Sequence, residues 1–236
     1  MKVALVCIAK NEDYYIEEWV NYNLKLGFDH IFIYENDWRC SLGNPKVTKI
    51  PFDGRSKQIE AYNNFLIHLS SEYQWVAFFD VDEFLVLKKH ENVKNFLTEY
   101  TNFNGVGINW CFFGSNGHKK FNKQSGVLER FTKRKSTFDQ HVKTILKIGK
   151  DVKMKVHNPN IDLVGANKVP FSGPFHINGD IEIAQLNHYF TKSEEEFTEK
   201  IKKSRADNGQ FRTMEEFYGH DFNEVEDLLA LNFMKK

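Results

Sequence analysis

The run Trp75-Val76-Ala77-Phe78-Phe79 is five apolar residues without a break, and it leads straight into Asp80, Asp82 and Glu83, three carboxylates within four positions. An apolar run of this length with no alternation marks a strand covered on both faces, as in the centre of a parallel sheet with helices above and below. The acids fall where that strand ends. In open α/β sheets the crevice beyond the carboxyl ends of the strands is where ligands bind. On extended backbone Asp80 and Asp82 would point to the same side. Two carboxylates aimed together repel unless protons or a cation lie between them, so a hard divalent ion with oxygen ligands is the natural occupant at neutral pH. Mg²⁺ of this kind completes its shell with water and substrate phosphates, which points to a phosphorylated ligand. A strand so hydrophobic has little need of three acids to make a turn or cap a helix, and the ligand reading is preferred on that ground.

Two enzyme classes place x-Asp-x-Asp at a strand end. In haloacid-dehalogenase-like phosphatases the first Asp is a nucleophile and the motif continues to Thr or Val, where this chain has Phe84. In nucleotide-sugar glycosyltransferases of the GT-A type the pair holds Mn²⁺ or Mg²⁺ against the donor diphosphate. A non-catalytic sugar-binding module is a third reading, from a different class.

The rest of the chain supports one α/β domain. Val3 to Ala9 is a second unbroken apolar run and reads as the first parallel strand. Asn11 then stands where it could cap a helix carrying Ile16, Trp19, Val20 and Leu24 on one face, which Gly27 stops. His30 to Tyr34 follows as a strand, completing a βαβ unit that ends in Glu35-Asn36-Asp37. An acid at that place either meets a ribose hydroxyl or belongs to the loop. Ser56 opens a helix with Ile59, Tyr62, Leu66 and Leu69 as its expected face, and Asn92 opens another before the strand Gly105 to Phe113. Late in the chain Ser193 with Glu196, Thr213 with Glu216 and Asn223 with Glu226 have the spacing of helix capping boxes. Residues 1–190 are therefore expected to form the catalytic body, with 191–236 as a helical appendage packed on the same domain and carrying Lys200, Lys202, Lys203 and Arg205 as a basic face.

Composition removes several function classes. Lys plus Arg and Asp plus Glu are equal at 32 each, so nothing in the global charge favours nucleic acid or an anionic membrane. Three cysteines without a C-x-x-C pair argue against a zinc site or a disulfide framework and suit a reducing cytoplasm. No apolar run is long enough to cross a bilayer, and Met1-Lys2 leads into a strand rather than a leader. A cytoplasmic protein is expected, with peripheral membrane contact compatible with it.

The strand Gly105 to Phe113 ends in the string Asn109-Trp110-Cys111-Phe112-Phe113-Gly114-Ser115-Asn116-Gly117-His118, rings beside glycines and small polar groups. Rigid aromatics next to backbone that a ligand can approach closely suit carbohydrate, so Trp110, Phe113, Gly114, Ser115 and His118 are acceptor-binding candidates; a turn with core aromatics is the alternative. Lys133-Arg134-Lys135 centres a basic middle section that reads as a solvated face, although Lys143 or Lys147 could reach a diphosphate.

These stretches occur together in a fixed order: AKNEDYYIEEWVNYNLKLGFDHIFIYEND, QIEAYNNF, WVAFFDVDEFL, WCFFGSNGH and HYFTKSEEEFTEKIKKSRAD. The set resembles glycosyltransferase family 92 and its family 2 relatives. The resemblance implies a GT-A fold, a Rossmann-like mixed sheet flanked by helices, binding a nucleotide-diphosphate sugar and passing the sugar to a carbohydrate or glycolipid acceptor. It places Ala9, Asn11, Glu12, Glu35 and Gln58 on the nucleotide side with Asp80, assigns the metal to Asp80 and Asp82, and puts His188 where a C-terminal histidine completes the metal shell. Where the family often has Arg-Gly after the basic helix, this chain has Ser204-Arg205-Ala206. The resemblance leans towards inversion, which requires a carboxylate to take the acceptor proton; Glu129 and Asp139, downstream of the aromatic loop, are the candidates, and spacing does not choose between them.

Overall fold

The computed structural model describes residues 1–236. Strand β1 (Val3–Ala9) is an inner strand, with β2 (His30–Glu35) parallel to it on one side and β3 (Val47–Pro51) parallel beyond at the edge. On its other side runs β4 (Trp75–Phe78), also parallel. The side chains of β1 alternate between two cores: Val3, Leu5 and Cys7 join the larger cluster under helix α1 (Ile16–Leu26), while Ala4, Val6 and Ile8 join a smaller one under α2 (Gln58–His68). Both faces are thus covered, which is why the run shows no polar alternation.

Beyond β4 the sheet becomes mixed. Strand β5 (Glu83–Leu87) turns back from β4, then α3 (Val93–Thr98) leads to β6 (Gly105–Phe112), and the short α4 (Val127–Arg130) and β7 (Lys133–Arg134) precede β8 (Asp139–Lys147). β8 inserts antiparallel between β4 and β6, and β9 (Leu163–Gly165) and β10 (Pro170–Phe171) extend the far edge. β11 (Ala184–His188) pairs parallel with β6 and antiparallel with β5, setting His188 opposite Glu83 and Phe112. The mixed α/β sheet flanked by helices is the architecture expected, although β4 has one antiparallel neighbour.

The tail is stitched into this body rather than laid against it. Helix α5 (Glu194–Lys200) begins at Ser193 in a full capping box with Glu196. Glu196 also meets Arg130 of α4 in a two-pronged ion pair of 2.6 and 2.9 Å, and accepts from Tyr15 Oη at 2.8 Å. After α6 (Met214–His220), β12 (Val225–Glu226) pairs with β7, and α7 (Leu229–Lys235) closes the chain. Asn223 therefore starts no helix; its Oδ1 accepts from the Asn116 N–H and its amide donates to Asp221.

Three other local expectations change. Asn11 has φ 54° and caps nothing, since α1 begins after Tyr15. Ser56 likewise has a positive φ of 54°, and the buried face of α2 is Gln58, Ala61, Tyr62 and Phe65, leaving Ile59 exposed. Arg134 is not solvated, because Asp227 of the tail accepts from its Nε at 2.8 Å.

Candidate functional site

β4 ends at Phe78 and the chain turns at once, the Glu83 N–H donating to the Asp80 carbonyl at 3.0 Å. Asp80 and Asp82 therefore sit in a tight turn rather than on extended backbone, and they face different partners. Asp80 Oδ2 accepts from Lys143 Nζ at 2.8 Å, and its Oδ1 accepts from Gln58 Nε2 at 3.0 Å. Asp82 Oδ2 accepts from Lys200 Nζ at 2.8 Å, while its Oδ1 faces His188 Nε2 at 3.6 Å, too long for a hydrogen bond. The β5–β11 register makes that approach: His188 lies opposite Glu83, and the Tyr189 N–H donates to the Asp82 carbonyl at 2.9 Å. Glu83, the third acid, is wholly buried and accepts the Asp80 N–H through Oε2 at 2.8 Å.

These groups open onto a cleft of about 510 Å³. Its lining includes Glu12, Gln58, Asp80, Asp82, Trp110, Asp139 and His188, seven of the residues singled out from sequence. One wall is basic: Lys200, Lys203, Arg205 and Arg212 all line it. The expected basic face is divided: Lys200 turns in to Asp82 and Lys203 donates to the carbonyls of Lys10 and Asn11, while Lys202 lies outside beside Glu199. Arg205 donates to Glu216 at 2.6 Å, and the Nε atoms of Arg205 and Arg212 are buried without partners. Aromatic rings share the lining, among them Trp110, Phe112, His141, His157 and His188, and Lys200 Nζ lies 4.4 Å over the Phe190 ring.

Electrostatics follow from burial and proximity. Burial opposes ionisation of Asp82, but Lys200, His188 and Lys192 outweigh it and hold the carboxyl well below its usual range. Burial pushes His188 down to about 3 despite the attraction of Asp82, so the imidazole is neutral at ordinary pH. Lys200 is pushed down to about 8, again mainly by burial. Burial also raises Glu12, against Lys192 and Lys203.

Other candidates lie elsewhere. Ala9 is buried in β1 and contributes no lining, Asn11 is exposed, and Glu35 is spent on accepting the Cys40 N–H at 2.8 Å. Glu129 is exposed on α4, away from the cleft. The loop after β6 does not face it either. Phe113 packs on Tyr189 at 4.6 Å; Gly114 lies against the Phe222 carbonyl so closely that a Cβ would fall 2.3 Å from it; the Ser115 N–H donates to Asp221; and His118 meets the Arg130 carbonyl at 3.1 Å. The small residues there admit the tail, not a ligand, and only Trp110 of that group reaches the cleft.

His141, Arg212 and His220 were not singled out from sequence. For His141 the one signal available was the spacing Asp139, His141, Lys143 along a single strand.

As for a metal, no three of the His, Cys, Asp and Glu side chains converge closely enough to hold an ion between them. The donor types of two of the expected ligands do fit, Asp82 Oδ1 and the neutral His188 Nε2 facing across 3.6 Å, while the other oxygen of Asp82 is paired with Lys200 just as Asp80 is paired with Lys143.

Known proteins resemble this chain along most of its length. A glycosyltransferase family 92 protein of Ricinus communis is 24% identical over 218 residues, covering 87% of this chain and 38% of the relative. One of Oryza sativa subsp. japonica is 24% identical over 209 residues, covering 83% and 34%. The chain thus spans little more than a third of the length of these relatives. The crystal structure of S. aureus TarS 1-349 is similar at a TM-score of 0.36 and 16% identity, over 63% of this chain and 47% of that one. The family model for glycosyltransferase family 92 matches residues 46–222, from the third strand through the cleft to the end of the basic wall, and the chain belongs to that family.

Proposed function

We propose that the chain transfers a sugar from a nucleotide-diphosphate donor to a hydroxyl of a glycan, glycolipid or surface-polysaccharide precursor, with inversion and with a divalent metal, Mn²⁺ or Mg²⁺. The observation that carries this reading is the cleft itself, whose lining brings Asp82 and His188 together with the cationic side chains Lys200, Lys203, Arg205 and Arg212. Breaking the bond to the anomeric carbon leaves negative charge on the diphosphate, and cations fixed in a partly buried wall stabilise it most in the transition state. Gln58 and Glu12, at the carboxyl ends of the parallel strands, would meet the nucleotide. Asp82 and His188 would hold the metal, which supplies further charge neutralisation on the phosphate oxygens. Trp110 offers a ring for the sugar or the acceptor.

Calorimetry with UDP and GDP, with and without Mn²⁺, tests the reading. Metal-dependent binding that Asp82→Ala abolishes, without loss of fold, is expected, and undiminished affinity in that variant would sink the metal assignment. Turnover of nucleotide sugars separates a transferase from a sugar-binding module, which would bind without releasing nucleotide, and from a phosphatase, which would instead release phosphate from small esters.

A further inference from the structure

Where β8 meets β6 beside the cleft, it enters the sheet out of register. Asn109 of β6 pairs with Val142, yet the next residue, Trp110, pairs with Asp139, so Gln140 and His141 are extra residues bulged from the ladder. Bulges of this kind re-aim side chains beside active sites. Here the bulge folds His141 back on Asp139, whose Oδ1 accepts both the His141 backbone N–H at 2.9 Å and the ring Nδ1–H at 2.7 Å. The imidazole lies nearly parallel to the Trp110 indole, 5.1 Å between centroids and 22° between planes, and the edge of Phe175 closes on it at 4.5 Å. Asp139, His141 and Trp110 all line the cleft, and Lys143, two residues further along β8, holds Asp80.

We propose that His141 takes the proton from the attacking acceptor hydroxyl and that Asp139 is a positioning residue, not the base itself. The inference rests on the glycosyltransferase reading above. Its ground is which atoms are spent. Oδ1 of Asp139 is engaged twice by His141, whereas Nε2 of His141 makes no hydrogen bond within the protein. Because an ionised carboxylate can only accept, Nδ1 carries the hydrogen and Nε2 is left with its lone pair. Burial works against ionisation of Asp139, but the hydrogen bonds from His141 and the nearby Lys135 outweigh it and hold the carboxyl below its usual range. On the ring that stacks on His141, Trp110 Nε1 is buried without a partner.

In the step that follows, the acceptor oxygen forms its bond to the anomeric carbon as the bond from that carbon to the diphosphate oxygen breaks. The bonding pair leaves with the diphosphate, and the hydroxyl proton passes to His141 Nε2. The imidazolium is stabilised by Asp139 and later releases the proton to solvent. A base placed in this way contributes on the order of 10²- to 10⁴-fold in rate.

The experiment uses the whole chain with Mn²⁺ and a panel of UDP- and GDP-sugars, water serving as acceptor, and reads released nucleotide. His141→Gln is expected to lower release on the order of 10²- to 10⁴-fold with nucleotide-diphosphate affinity unchanged. Asp139→Asn should lower it less and displace the acidic limb of the pH profile; the polar groups around the ring are Asp139, on which Lys135 acts, Trp110 from β6 and His157 from the loop after β8. An unaffected His141→Gln beside a dead Asp139→Asn would overturn the proposal and make Asp139 the base. A second measurement does not need a donor. Nitrogen NMR of the histidine rings should find His141 protonated on Nδ1 and free on Nε2 at alkaline pH, with that preference lost in Asp139→Asn. A hydrogen on Nε2 in the unaltered protein would refute the dyad. Absence of both nucleotide binding and turnover in the unaltered protein would instead overturn the glycosyltransferase reading, and the base assignment with it.

Discussion

Lys143 Nζ lies 2.8 Å from Asp80 Oδ2 and 3.8 Å from Glu83 Oε2, and its side chain is completely buried. Burial alone would drive the proton from Lys143, but the Asp80 and Glu83 carboxyls reverse that and hold the ammonium above its usual range. Glu83 is pushed up by burial, against the pull of Lys143. One cation thus fixes the turn on which both aspartates ride.

Removing that cation should be felt in stability first. Lys143→Met leaves Asp80 facing no counter-charge, and stripping one partner from a buried ion pair typically costs 3–5 kcal/mol. Since the Asp80 side chain is 34% exposed and solvent compensates in part, about 2–3 kcal/mol is the expected loss. Urea denaturation measures it, and an unchanged midpoint would show that the pair contributes nothing.

Affinity for diphosphate should separate neighbours on one helix and its last turn. Lys200 points at Asp82 from inside the cleft, whereas Lys202 pairs with Glu199 in solvent. Lys200→Ala should weaken UDP binding on the order of tenfold, the worth of one charge-assisted contact, while Lys202→Ala changes it little. Equal losses would mean that the protein's general field, not the wall of the cleft, attracts the nucleotide.

Acid should destabilise the fold before the carboxylates titrate. His157 is pushed down to about 3, chiefly by burial, with Lys143 and His141 adding to it, and His188 behaves alike. Each stays neutral in the fold while its unfolded counterpart takes up a proton near pH 6.5, so the stability present above about pH 6.5 is lost progressively as pH falls towards 3. The slope is at most about 1.4 kcal/mol per pH unit for each proton. Glu196 adds to the loss lower down: burial opposes its ionisation, but Arg130 and Ser193 hold it below its usual range, so its contribution fades only as pH falls beneath the ordinary carboxylate value. Urea midpoints from pH 8 to 5 check the sign, and His157→Gln should flatten the upper part of the curve.

The strands and the acidic turn were legible because β1 and β4 announce themselves through uninterrupted apolar runs, and chemistry at the end of such runs has one place to go. The loop after Trp110 leaves two readings open in the sequence, acceptor contact or a turn with core aromatics, for a physical reason. Glycine and serine beside rings look the same whether they admit a sugar or another segment of chain, and here Gly114 and Ser115 admit Phe222 and Asp221, more than a hundred residues away. Glu129 and Asp139 could not be told apart because only the bulge in β8 brings Asp139 into the cleft, and no residue pattern encodes a register slip. The inward turn of Lys200 depends on a bidentate pair between Arg130 and Glu196 that docks α5, a contact across 66 positions.

His188 gives the last and sharpest expectation, since it reaches Asp82 only through strand pairing and not through sequence proximity. If the two hold one ion, their effects are coupled. A neutral imidazole suits Mn²⁺ better than Mg²⁺, so His188→Ala should reduce Mn²⁺-dependent turnover more at limiting than at saturating metal and should narrow any preference for manganese. The ring also packs 4.4 Å from Trp110 and 5.1 Å from Phe112, so thermal melting must show the variant folded before its kinetics are compared. In an Asp82→Ala background the same change should cost much less, because removing a second ligand from an ion already lost has little left to remove. A merely packed histidine would behave otherwise: its loss would be the same at every metal concentration and would add in full to that of Asp82→Ala. A titration of Mn²⁺ against turnover in the two single variants and the double variant distinguishes these outcomes.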